Sequence, residues 1–84
     1  MALSQKIMDI AIASSINAMT KYIINRDGLD EETAYKKLLD MEIYKLMIDQ
    51  DSGIWKEFEN YLCDCCEVEF AHGVAALYNF FKDT

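Results

Sequence analysis

Eighty-four residues carry one domain with one core, and 52% apolar residues, 12% aromatics and only three glycines exclude a disordered chain. A formal charge of −7 argues against a nucleic-acid-binding surface, and Asp9, Asn17 and Lys21 break the most hydrophobic region short of the ~18 uninterrupted apolar residues that a bilayer span needs. A chain this short buries about 60 to 65% of the surface it exposes when unfolded, so apolar area is left over and a homodimer or a standing protein partner is expected.

Proline is absent, and Gly28, Gly53 and Gly73 divide the chain into helix-sized pieces. Met8, Ile12, Ile16, Met19 and Ile23 recur at spacings of three and four, which predicts a first helix over residues 3–25 lying across the core. Its small residues Ala11, Ala13, Ser14, Ser15 and Ala18 let neighbouring helices approach closely. Asn25 to Gly28 reads as a stop, and Asp30 as the N-cap of a second helix whose first turn carries Glu31 and Glu32. A single straight helix from there would be apolar nearly all round. Asp40 resolves this as a second N-cap, giving two short helices over 31–39 and 41–49 joined at a sharp corner.

Asp49 to Gly53 forms a polar loop, and Phe58, Tyr61, Leu62, Cys65 and Cys66 then return to helical spacing. Phe70, Val74, Leu77 and Phe81 align with one another but lie roughly 140° around from the preceding face, so the last helix, over 54–82, either bends near His72 and Gly73 or packs its end on a different neighbour. No strand-like alternation occurs. The expected architecture is a single all-α domain over 1–84, a compact bundle of four or five helices. Its expected core is Ile12, Ile16, Met19, Ile23, Leu38, Leu39, Leu46, Phe58, Leu62 and Leu77.

Charge is distributed unevenly. Between Asp49 and Glu69, seven acids face one base, Lys56, which accounts for −6 of the −7. Glu57, Asn60, Asp64 and Glu67 fall on one helical face without balancing lysines, so they are the candidate surface for a basic protein partner. The competing reading is the solvated side of an amphipathic helix. Phe70, Val74, Leu77 and Phe81 are the candidate interface of a homodimer.

Three cysteines cannot all pair within one chain, and Asp9 interrupts the run that would have to serve as a secretory signal; a reducing cytoplasm is the expected setting. Cys63 and Cys66, one helical turn apart, offer an alternative function as a metal- or thiol-dependent regulator. Cys65 points away from Cys63, and His72 lies nearly two turns beyond Cys65, so one helix cannot close a tetrahedral site and no metal is expected. Cys65 and Cys66 read as small core residues, with Cys63 more exposed. The Asp49–Gly53 loop fails as a calcium loop, because Ile54 and Asn60 fall where a glycine and a bidentate glutamate belong.

His72 is the lone histidine, with no nucleophile context or phosphate-binding glycine loop nearby, so neither enzymatic activity nor a cofactor is expected. A helix-turn-helix reading of 31–49 fails on charge, since Glu42 and Asp49 outnumber Lys45 on the second helix.

The stretch Leu29 to Leu39 (LDEETAYKKLL), with Ile43 to Met47, Asp49, Trp55 and Glu59 to Leu62, resembles a group of small uncharacterised bacterial helical proteins, some encoded near toxin-antitoxin-like genes. The resemblance spans about half the chain and implies a helical fold with an antitoxin-like or regulatory role. The group defines no catalytic residues. The cysteine-bearing segment and residues 70–81 depart from its pattern.

Overall fold

Asp30 shows most simply how this sequence sets its own helix boundaries. Its backbone is extended, and its carboxylate accepts the amide of Thr33 at 2.8 Å, satisfying one of the donors that a helix start leaves unpaired. The computed structural model describes residues 2–82, and in it this cap opens α2, Glu31–Leu39, over the predicted span. Before it lies α1, Ala2–Asp27; after it come α3, Glu42–Ile48, two 3₁₀ turns at Gln50–Ser52 and Ile54–Lys56, then α4, Glu59–His72, and α5, Val74–Lys82. No strand occurs among the described residues, so the fold is an all-α bundle of five helices.

α1 lies across the core as expected and touches α2, α3, α4 and the second 3₁₀ turn. Its pairing with α4 is parallel. Ser14 bonds Glu59, the Cys63 thiol points at the Ala18 carbonyl 3.8 Å away, and Arg26 bonds Glu67, so partners advance together along both chains. Ser14 and Ala18, one turn apart, supply the small side chains that this approach requires. By length and composition, residues Gln5–Asp27 of α1 would also suffice to cross a membrane, a test that a soluble protein's core helix passes as well. Here Met8, Ser15, Met19, Thr20 and Ile23 of α1 are buried against the rest of the chain. Thr20 satisfies its hydroxyl by donating to the Ile16 carbonyl at 2.7 Å.

The predicted bend at Gly73 is a full break. Gly73 has φ of 91°, a conformation that side chains other than glycine resist, and its amide closes α4 on the Glu69 carbonyl at 2.9 Å. α5 turns back against α4, and Phe80 stacks on Tyr61 with ring centroids 5.5 Å apart. The break resolves the drift in the apolar stripe: Leu62, Cys65 and Cys66 of α4 and Leu77 of α5 each reach the same core.

Three expectations need correction. The helix predicted from residue 54 starts at Glu59, because residues 54–56 form a separate 3₁₀ turn and Glu57 and Phe58 after it are extended. Phe58 consequently leaves the core and is 84% exposed. Asp40 ends α2 and does not cap α3; Met41 holds the N-cap position without a side-chain bond. The core itself contains Met19, Ile23, Leu38, Leu62 and Leu77 as expected, while Ile12, Ile16 and Leu46 are half-buried against it and Leu39 is half-buried. Ile43 and Met47, absent from the expected core, are fully buried.

Candidate docking surface

The missing cap of α3 comes from a distant helix. Glu69 of α4 accepts the amides of Glu42 at 2.8 Å and Ile43 at 2.9 Å, one per carboxylate oxygen. A carboxylate at a helix N-terminus meets both unpaired donors and the positive end of the helix dipole. Glu69, counted among the seven clustered acids, is therefore a structural residue.

The carboxylates of three of the other six acids also have partners within the chain. Glu67 accepts from the Arg26 guanidinium at 3.2 Å. Glu59 accepts the Ser14 hydroxyl. Asp49 accepts the Asp51 amide at 3.1 Å in the loop between α3 and α4. The loop is further closed by Ser52, whose hydroxyl donates to the Asp49 carbonyl at 2.8 Å and accepts the Ile54 amide at 3.2 Å. Asp51, Glu57 and Asp64 form the exposed remainder.

The predicted acidic stripe thus divides by location. Asn60, Asp64 and Glu67 lie exposed on α4, with Glu67 turned to α1, whereas Glu57 sits outside the helix, after the second 3₁₀ turn. Glu57 and Asn60 are nevertheless brought together in an open groove of about 670 Å³. Ala11, Ser14 and Ser15 of α1 form one wall; Trp55, Phe58 and Glu59 contribute to the other. Phe58 stands at the N-cap of α4 with extended backbone, φ −66° and ψ 151°, and its side chain makes no capping bond. An aromatic there forgoes the stabilisation that Ser, Asp or Asn would give, and it places a large apolar group in water.

The apolar surface continues past the groove. Ile7 and Ile10, 56% and 60% exposed, stand one helical turn before Ala11 and Ser14 on α1. Helical spacing could have found this stripe, since 7, 10, 11 and 14 share a face, but the stronger stripe through Met8, Met19 and Ile23 accounted for the helix alone.

The predicted dimer stripe is mostly consumed within the chain. Leu77 is completely buried and offers nothing to a second copy. Phe70 is half-buried, with the Arg26 guanidinium 4.5 Å and the Lys37 ammonium 4.9 Å from its ring centroid. Asp27 joins the same cluster: hydrogen bonding from Lys37 holds its carboxyl below the usual carboxylate range. Phe81 is half-buried with its ring edge-on to Tyr78, which leaves Val74 as the one clearly exposed member of the four.

Cys65 and Cys66 are fully buried, as expected, and Cys63 is intermediate; all three are free thiols. Burial pushes the Cys65 thiol up to about 12 and the Cys66 thiol higher still. Burial first, then Asp64 and Glu59, raises the Cys63 thiol as well. Such groups favour the protonated form near neutrality, the opposite of a reactive thiolate. Among the described residues no three potential ligands gather into a metal-binding group. His72 is the last residue of α4, exposed beside the Gly73 break.

No family model, no curated protein and no solved structure matches the chain.

Proposed function

We propose that this protein is a small acidic protein-interaction module, without catalytic activity, that works through the groove between α1 and the start of α4. The carrying observation is Phe58, 84% exposed at a helix cap where its side chain makes no capping bond. Exposed aromatics flanked by half-buried ones are the usual anchors of protein interfaces, and Trp55 is the half-buried neighbour here. Glu57 and Glu59 at the rim favour a partner segment that carries basic residues beside apolar ones. Asp64 extends the acidic character along α4. A regulatory or antitoxin-like role, acting by occupancy in a reducing cytoplasm, suits such a module and follows the resemblance carried by residues 29–62. The cysteine-based alternative is not favoured, because Cys66 is buried, Cys63 is half-buried, and burial raises both thiols.

A photo-crosslinking phenylalanine analogue at position 58 tests this reading in living cells. It is expected to give a discrete protein adduct, whereas the same analogue at exposed Lys36 on α2 gives none. Absence of any protein adduct from position 58 would overturn the reading.

A further inference from the structure

We infer that the occupant of the groove is a second copy of this chain, with Lys6, Ile7 and Ile10 of each copy seated against Phe58 and Glu57 of the other. The inference rests on the groove being a docking surface and names what docks there.

Charge complementarity carries it. The groove asks for an apolar segment bearing a base, and this protein exposes one beside it. Ile7 and Ile10 are open to solvent, and Lys6, one turn before Ile10, is exposed on the same face. For a chain of −7, most of the surface repels a second copy. Over the groove and the adjoining start of α1 the balance is nearer neutral, because Lys6 and Lys56 stand against Asp9, Glu57 and Glu59. A two-fold interface must be self-complementary, with each patch contributing both halves of every contact. One contiguous face holding an acid-rimmed groove and a base-bearing apolar stripe meets that condition. The stripe through Phe70, Val74, Leu77 and Phe81 does not, since Leu77 is sealed in the core and Phe70 lies under Arg26 and Lys37.

The two-fold arrangement sets Lys6 of one copy near Glu57 of the other, twice. Reversing either charge alone therefore creates two like-charge contacts, and mixing the two reversed chains restores two attractive ones.

The experiment is light scattering on a sizing column across the micromolar range with the parent, Phe58→Asp, Lys6→Glu and Glu57→Lys, each checked for helix content by circular dichroism. The parent is expected to reach twice the chain mass. Phe58→Asp should weaken association about thirtyfold or more, as loss of an aromatic anchor does. Lys6→Glu and Glu57→Lys should each weaken it several-fold, and an equimolar mixture of these two should dimerise more tightly than either alone. A parent that stays at one chain mass, a dimer indifferent to Phe58→Asp, or a mixture no tighter than its components would overturn the inference. A single-mass parent that still yields an adduct with another protein from position 58 would overturn the second copy and leave the docking surface standing.

Discussion

α4 packs along α1 from end to end, yet its two ends treat similar residues in opposite ways. At the C-terminal end Glu67 bonds Arg26, Glu69 caps α3, and Phe70 is covered by two cations. At the N-terminal end Phe58 is bare, its cap position is unused, and Ile7 and Ile10 stand exposed on α1 one turn beyond the groove. Acids and aromatics at the first end are consumed by folding. At the second, Glu59 bonds Ser14 and Tyr61 stacks on Phe80, but Glu57 and Phe58 stand exposed, so these two are the residues whose presence needs a reason beyond stability. Clustered charge alone did not make this distinction, because a carboxylate that caps a helix and one that waits for a partner look alike in sequence.

The largest expected effect sharpens the contrast between consumed and unconsumed side chains. Leu62, fully buried on α4, should cost about 2 to 5 kcal/mol when replaced by Ala, as buried leucines do when a cavity remains. Ile10→Ala, on the open face, should cost under about 1 kcal/mol by the area bookkeeping of an already solvated side chain. Urea denaturation of both variants, at concentrations where the chain is a single copy, makes the comparison. Similar losses at the two positions would mean that the open face is part of the folding core.

Glu69 provides the next test, within the satisfied end. Glu69→Ala removes two charge-assisted bonds to the amides of Glu42 and Ile43 and should destabilise the protein by about 1 to 3 kcal/mol. Glu67→Ala, which removes a solvent-screened pair with Arg26 and a hydrogen bond with Tyr22, should do less. Hydrogen exchange separates the causes: loss of the cap should speed exchange at the start of α3 before it affects α1. Equal effects of the two substitutions would return Glu69 to the status of a surface acid.

The fold was legible where its determinants are local. Asp30 and the acids after it fixed α2, and Gly28 and Gly73 marked breaks that the backbone requires, with φ of 66° and 91°. Small residues on α1 announced a close neighbour, and that neighbour proved to be α4. What was not legible depends on contacts across the chain. Asp40 had the right chemistry to cap α3, but Glu69, 27 residues beyond Glu42, does so. Phe58 fitted the spacing of Leu62 and Cys65 only if the helix ran unbroken from residue 54, and a three-residue 3₁₀ turn was enough to move it from core to surface. Glu57 and Asn60 share a helical face in the sequence pattern. They do meet at the groove, though for a different reason, namely that the chain turns into α4 between them.

Phe58→Asp carries the smallest expected change in stability and the most information. Its backbone already has the extended conformation of an N-cap, so an aspartate there can accept the amide of Asn60 or Tyr61 and place negative charge at the start of α4. Removing a ring that is 84% exposed loses almost no burial. The net expectation is a gain of about 0.5 to 1 kcal/mol for the single chain, read from chemical denaturation at dilution where association is absent. The same substitution should abolish docking at the groove. A protein made more stable and less able to associate by one change is the signature of a residue kept for its surface role. If Phe58→Asp instead destabilises the dilute chain by more than about 1 kcal/mol, the ring contributes to folding after all, and the contrast between the two ends of α4 collapses.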